Sequence, residues 1–366
     1  MADPEPADGG AVRGEDAFDV AAVDAWLRGQ PGLGERLGPA GTPRVTQYAG
    51  GASNLTYRLG YPDADLVLRR PPAGTKASSA HDMVREYRVQ ERLKPVFPQV
   101  PTVRALCRDH AVLGTDFYVM DRVPGTILRG RLPAGVALPP ERAAALCRAA
   151  VDTLVGLHAV DPVAAGLADL GRGPGYVRRQ VDGWTQRYAK ARTRNVPSFR
   201  RVTRWLDANA PDDVAQCVVH NDFRLDNLVL APDDPTQVVG VLDWELATIG
   251  DPLMDLGGAL AYWVQADDGR LAQVGRRQPS HLPGMLTRRE IVARYAERTG
   301  RDVAAWPFYE VFGLFRLAVI AQQIYYRYHH RQTTNPAFRH LWVMVGYLDL
   351  RCRRAIRSSQ GRARGR

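Results

Sequence analysis

Lysine is almost missing from this chain of 366 residues. Only Lys76, Lys94 and Lys190 occur, so a formal charge of +10 rests almost wholly on arginine. A positive balance of this size favours anionic ligands, but composition does not choose among them. Cysteine is scarce too. Cys107, Cys147, Cys217 and Cys352 are scattered without the close pairs that metal sites or redox motifs need, and they read as reduced thiols. Long apolar runs are absent: the stretch from Val311 to Tyr326 is interrupted by Arg316, Gln322 and Gln323, which excludes a bilayer span there. The start, MADPEPADGGAVRGEDAFD, is acidic and rich in small residues, with no apolar run after a basic segment. A secretory signal is therefore not expected, and the expected location is the cytosol. No internal repeat is visible.

The length suits one bilobal unit or two domains. Residues 1–17 read as disordered, and 353–366 as a basic flexible tail. Val20, Val23, Trp26 and Leu27 recur at helical spacing. From Arg44 to Arg70 the period shortens to that of strands, in RVTQYA, NLTYRLGY and ADLVLRRPP, with AGGAS as a glycine-containing turn. SAHDMVREYRVQERL reads as a helix, and ALCRDHAVLGTDFYVMDRVPG as a hairpin ending in a Pro-Gly break. After Pro124 the pattern is mostly helical, apart from two short apolar runs, AQCVVH and TQVVGVLDW. Strands first and helices afterwards predict an α+β fold. Its small N-terminal lobe, over 18–121, carries an antiparallel sheet plus helix, and a larger, mostly helical lobe covers 122–352.

The sharpest local signal is His220-Asn221-Asp222-Phe223-Arg224-Leu225-Asp226-Asn227, directly after the apolar run Cys217-Val218-Val219. An Asp two residues after the His, and an Asn five beyond that, place a carboxylate and an amide oxygen on one tight loop. Phosphoryl transfer needs such a pair: the carboxylate orients the acceptor hydroxyl and takes its proton, and the amide oxygen ligates Mg²⁺. Read alone, Asp222 is also compatible with a loop cap. The second signal, Val241-Leu242-Asp243-Trp244-Glu245, again ends an apolar run. Mg²⁺ favours carboxylate and amide oxygens alongside phosphate oxygens, so Asp243 and Asn227 suit it.

HNDFRLDN followed by VLDWELATIGDPLMDLG resembles the catalytic and metal-binding segments of the aminoglycoside phosphotransferase and choline kinase superfamily, whose fold is protein-kinase-like. GGASNLTYRL, LVLRRPP, REYRVQERL and FYVMDRVPG fall in that family's order of phosphate loop, third strand, helix and hinge. Within the superfamily the wording is most like the kinase-like domains related to the N-terminal part of acyl-CoA dehydrogenase family members 10 and 11. The resemblance covers roughly residues 20–350.

It implies a small-molecule kinase that uses ATP or GTP with Mg²⁺. Asp222 would be the catalytic base, and Arg224 would meet charge on the transferred group. Asn227 and Asp243 would be the metal ligands. Gly50, Gly51, Ser53 and Asn54 match the phosphate-covering loop, and Met120, Asp121 and Val123 the hinge that meets the adenine through backbone groups. Arg69 stands where such kinases keep a lysine on the α- and β-phosphates, with Arg70 as the competing candidate, and Glu86 matches the carboxylate that pairs with that cation. Asp251 reads as a helix start and Asp255 as a brace for the catalytic loop.

The acceptor pocket would draw on GYVRRQVDGWTQRYAKA and the region from Leu260 to Tyr328, with Trp184, Arg187, Tyr188, Tyr262, Trp263, Tyr325 and Tyr326 as candidates; the competing reading of these aromatics is core. A polycationic acceptor calls for several carboxylates, yet Gly171 to Arg204 holds only Asp182. An anionic acceptor such as a hydroxyacyl-CoA is preferred. An antibiotic or sugar kinase and an inactive nucleotide-binding scaffold are the alternatives that the same residues leave open. The expected partners are nucleotide and small molecule, with neither nucleic acid nor membrane.

Overall fold

The computed structural model describes residues 9–48, 54–72, 82–133 and 135–364. The chain divides into two compact units. The first runs through Gly125 and also takes in Val239–Leu246; the second holds Thr126–Val238 and Ala247–Arg366. The boundary thus falls a little beyond the Asp121 expected from the sequence. The segment around Asp243 belongs with the N-terminal unit, which its place in the chain does not announce.

In the first unit, strands β1 (Gly9–Gly10), β2 (Arg44–Tyr48), β3 (Leu55–Gly60), β4 (Asp65–Arg70), β5 (Val103–Cys107) and β6 (Phe117–Asp121) form one antiparallel sheet in the order β1-β2-β3-β4-β6-β5. Side chains alternate across a strand. Leu55, Tyr57 and Leu59 of β3, Leu66 and Leu68 of β4 and Phe117 and Val119 of β6 therefore share one face, closed by Val23 and Leu27 of α1 (Val20–Arg28). On the other face Val67, Tyr118 and Met120 pack against Met83 of α2 (Met83–Leu93). Asp82 caps α2 by accepting the Arg85 N–H at 2.9 Å. The β5–β6 connection contains a short helix, α3 (His110–Leu113), inside what the sequence presents as a simple hairpin.

The expected disorder of residues 1–17 is corrected from Gly9 onward. Gly9 and Gly10 pair with Tyr48 and Gln47, the Arg13 N–H donates to the Gln47 side chain, and the Asp16 carbonyl accepts from Tyr57 and Arg70. Small residues and charge hid backbone pairing that local composition does not encode.

The second unit contains α4 (Pro140–His158), α5 (Tyr176–Ala191), α6 (Arg200–Ala208), β7 (Cys217–Val219) and β8 (Leu228–Leu230). Strand β9 (Val238–Val241) crosses the division between the units, and the second unit resumes with β10 (Thr248–Gly250), α7 (Pro252–Ala261), α8 (Arg270–Gly275), α9 (Arg288–Thr299), α10 (Trp306–His329) and α11 (Leu341–Arg364). β10 pairs antiparallel with β7. From Arg353 to Arg364 the expected flexible tail is instead the last part of α11; residues 365–366 lie outside the described residues. Val345, Leu348, Cys352 and Ile356 are all buried at helical spacing, an apolar stripe that the surrounding arginines obscure. All four cysteines are free and buried. No helix among the described residues is long and apolar enough to cross a membrane.

Helices α7 and α10 meet through glycine. A Cβ on Gly313 would lie 2.1 Å from the Gly257 carbonyl oxygen, and one on Gly257 would lie 2.6 Å from that of Tyr309. Both obstacles are backbone, so neither can swing aside. Gly313→Ala is therefore expected to destabilise the protein by about 1–3 kcal/mol. Gly346→Ala on α11, where a Cβ meets nothing within 4 Å, should be neutral or stabilising by up to about 1 kcal/mol. Urea denaturation of the two variants checks this; equal effects would contradict the close-approach account.

Candidate active site

In the first unit the alternation of β4 separates the two adjacent arginines. Arg69 shares the Val67 face and stands opposite Tyr118 in the ladder, whereas Arg70 points to the α1 side, donating to the Tyr57 hydroxyl and stacking on Tyr57 and Phe18. Arg69 thus faces α2. Its Nε lies 3.2 Å from Glu86 Oε1, its Nη2 donates to Asp243 Oδ1 at 3.0 Å, and Glu245 Oε2 is 3.8 Å away. The Arg69 and Glu86 side chains are only 12% and 3% exposed.

A buried guanidinium costs several kcal/mol unless paired, and here three carboxylates surround it. They raise its pKa further above the ordinary value. Burial pushes the Glu86 carboxyl up, with Arg69 pulling the other way, and Tyr118 donates to Glu86 Oε1 at 2.9 Å. Gln90 in turn donates to the Tyr118 hydroxyl.

Asp243 follows β9 with φ of 70°, a left-handed conformation that Asp tolerates better than most residues. Trp244, fully buried, donates to the Val241 carbonyl and packs edge-on against Phe97, which fixes this turn. Glu245, to which the sequence assigns no role, accepts from Asn54 Nδ2 at 2.9 Å, while its carbonyl accepts from Arg85. Its only sequence signal is its place two residues after Asp243.

Gly50, Gly51 and Ser53 lie outside the described residues; Asn54 is buried on Glu245. In the segment expected to be the hinge, Met120 is buried and the Asp121 carboxylate is held by Arg104 and Arg36. The N–H groups of Asp121 and Arg122 donate to the Thr102 and Asp65 carbonyls, and the Val123 N–H is bonded to no other described residue.

In the second unit the loop after β7 is clamped at its backbone. Asp255, buried in α7, accepts the His220 N–H at 2.7 Å and the Asn221 N–H at 2.8 Å. His158 donates to Asp255 from Nε2 at 3.2 Å and meets the Tyr295 hydroxyl through Nδ1. Burial lowers the His158 pKa, and burial is outweighed at Asp255, whose hydrogen bonds and neighbouring histidines hold the carboxyl below its usual range. Asn221 has φ of 64°; its side chain accepts from Tyr176 and its carbonyl from Arg316 at 2.6 Å. Gly250 leaves room for the Tyr176 ring, which a Cβ would meet at 2.7 Å. Asp251 caps α7, accepting from Leu253 and Met254, and also holds the Val214 N–H.

Asp222 is presented beyond this clamp. Asn227 Nδ2 donates to the Asp222 carbonyl at 2.8 Å and to its Oδ2 at 3.1 Å. Both partners are acceptors only, which fixes the amide's orientation and leaves Asn227 Oδ1 without a partner among the described residues. Arg224 lies 3.3 Å from Asp222 Oδ2 and 3.2 Å from Asp226 Oδ1, over the Tyr262 ring. Taken separately, the amide oxygen of Asn227 in this unit and the carboxylates of Asp243 and Glu245 in the first are oxygen donors of the kind that Mg²⁺ accepts.

Of the acceptor-pocket candidates, Tyr188, Trp263 and Tyr325 serve the core: each is buried, with its polar atom bonded to Pro197, Leu286 and Asn195 respectively. Tyr262 lies beneath Arg224, and Tyr326 packs against His330.

The profile of the phosphotransferase enzyme family matches residues 44–291. Acyl-CoA dehydrogenase family member 11 of Rattus norvegicus is 38% identical over 320 residues, which is 85% of this chain and 40% of the relative; the chain thus spans about two fifths of that protein. A structure from Ralstonia eutropha JMP134, provisionally described as an aminoglycoside phosphotransferase, superposes with a TM-score of 0.75 at 30% identity, covering 93% of this chain and 99% of that one. An aminoglycoside phosphotransferase in ternary complex with AMP-PNP and hygromycin B shares the fold, with a TM-score of 0.55 at 13% identity over 92% of this chain and 98% of its own.

The Arg69 cluster makes a stability prediction. Arg69→Ala leaves Glu86 buried without its cation and should cost about 3–5 kcal/mol. Adding Glu86→Gln should cost less than the sum of the single changes, as for any pair that acts together. Chemical denaturation of the four-member cycle tests this; strictly additive losses would show that the two side chains are not coupled.

Proposed function

The chain belongs to the phosphotransferase enzyme family, and we propose that it moves the γ-phosphoryl group of ATP or GTP onto a hydroxyl of a small anionic metabolite, preferably a hydroxyacyl-CoA. The observation that carries the chemistry is the loop after β7, where Asp222 is held by Asn227 and Arg224 on a backbone that buried Asp255 clamps. Asp222 orients the acceptor hydroxyl and takes its proton as the new O–P bond forms. The bond between the γ-phosphorus and the bridging oxygen breaks, and the nucleoside diphosphate leaves with the electron pair. Arg224 stabilises negative charge on the group in transfer. Arg69, oriented by Glu86, grips the α- and β-phosphates through its planar fork.

By the family resemblance, the phosphates are assigned to Gly50, Gly51, Ser53 and Asn54, and the adenine to the backbone at Met120, Asp121 and Val123. Asn227 and Asp243 would hold Mg²⁺, which when bound supplies positive charge to the phosphate oxygens.

Two features support the acceptor class. The segment from Gly171 to Arg204 offers arginines and a single carboxylate, a poor match for a polycation. The relative from Rattus norvegicus is named for acyl-CoA chemistry, which makes a hydroxyl on an acyl-CoA chain a natural target for a kinase domain of this kind.

Asp222→Asn keeps the shape of the side chain but cannot take the proton, so turnover should fall by at least about 10²-fold, with nucleotide affinity and fold retained. Steady-state nucleotide consumption, together with calorimetric titration of nucleotide, checks the expectation. Near-wild-type turnover in this variant would remove Asp222 from the mechanism.

A further inference from the structure

Beside the catalytic loop, two guanidinium groups share one indole. Arg187 of α5 places its Cζ 4.6 Å from the centroid of the Trp184 ring, and Arg316 of α10 places its own at 5.4 Å. Trp184 is itself set by a hydrogen bond from Nε1 to Gln180 on the preceding turn. Arg316 is only 7% exposed, yet its one hydrogen bond among the described residues is from Nη2 to the Asn221 carbonyl. Neither arginine has a carboxylate within ion-pair distance among the described residues.

Buried or closely spaced cations are normally compensated by acids. Among the described residues these two meet only an aromatic face and a carbonyl, which offset part of the cost. Arg187 is exposed, yet partial desolvation of its guanidinium and the neighbouring Arg316 both lower its pKa.

The helices also make room for this pair. A Cβ on Gly258 of α7 would lie 2.8 Å from Arg316 Nη1, and one on Gly183 of α5 would lie 3.3 Å from Arg187 Nη1. Glycine inside a helix costs about 1 kcal/mol relative to alanine, and at both positions it leaves a guanidinium its space. Asp182, the one carboxylate of α5, sits about 200° round the helix from Trp184 and does not compensate the pair.

We propose that Arg187 and Arg316, spread on Trp184, bind an anionic group of the acceptor itself, a carboxylate or a phosphate. This rests on the kinase reading above for the word acceptor, but the anion site stands on its own geometry. Arg316 ties the site to the chemistry, because the carbonyl it holds belongs to the residue before Asp222. A bound anion completes the charge of the pair and places the hydroxyl-bearing chain beside the loop that carries the base. Planar forks on an aromatic platform select flat or tetrahedral oxyanions over neutral groups.

The test is a calorimetric titration without nucleotide of the wild type, Arg187→Glu and Arg187→Lys. The probes are a short hydroxyalkanoate, its methyl ester and its coenzyme A thioester. Arg187 is exposed, so charge reversal there should leave the fold intact, and circular dichroism verifies it. Arg187→Glu should weaken an anionic probe by about tenfold or more, Arg187→Lys should restore part of the loss, and the methyl ester should respond to neither. A loss confined to the thioester assigns the site to its phosphates, and a loss that includes the free acid assigns it to the carboxylate. Unchanged affinity for both anions in Arg187→Glu, an equal loss for the methyl ester, or a wild type that binds neither anion overturns the proposal. Because no nucleotide is present, a failure of phosphoryl transfer would leave these titrations readable on their own.

Discussion

One buried carboxylate sets the course of the loop that carries Asp222 in the second unit. Asp255 is 1% exposed, and a lone carboxylate there would be costly. It is tolerated because two backbone N–H groups, of His220 and Asn221, and the ring of His158 converge on it. The same bonds that stabilise the carboxylate pin the loop. Asn221 can then stay in a left-handed conformation, and Arg316 and Tyr176 take its carbonyl and its side chain. Asp222 inherits its direction from the residues that hold the backbone before it.

The first unit uses charge on charge instead of charge on backbone. Arg69 is nearly out of solvent, and its fork reaches Glu86 and Asp243 with Glu245 alongside. A lysine ammonium is a compact point charge; a guanidinium has five donors in a fixed plane and can engage several carboxylates together. The replacement of the family's lysine by arginine therefore keeps the positive charge and adds simultaneous contact with the helix carboxylate and the strand-end Asp. This is the physical argument against reading the substitution as a sign of an inactive scaffold.

Much of this arrangement is legible in the amino-acid sequence. Period-two alternation puts Arg69 with Val67, and the two acidic turns announce themselves by following apolar runs. The choice between Arg69 and Arg70 needs the sheet, because only pairing with β6 and packing of α2 show which face carries Glu86 and Tyr118. Glu245 and Arg316 escape for the same reason: their partners are 191 and 95 residues away. Local composition misleads at both ends. Gly9 and Gly10 look like linker until β2 offers them a ladder, and the arginines after Cys352 conceal the stripe that continues α11 to Ile356.

The central claim is that this chain forms a phosphoester on a hydroxyl. The direct measurement is ³¹P NMR of the wild-type protein with Mg²⁺ and ATP or GTP, run against hydroxyacyl-CoAs, sugars, amino alcohols, macrolides and aminoglycosides. The account predicts a phosphate monoester resonance that grows with nucleoside diphosphate only when a hydroxylated acceptor is present, strongest for the anionic ones. Release of inorganic phosphate at the same rate with every acceptor and with none, and no ester resonance, would contradict it.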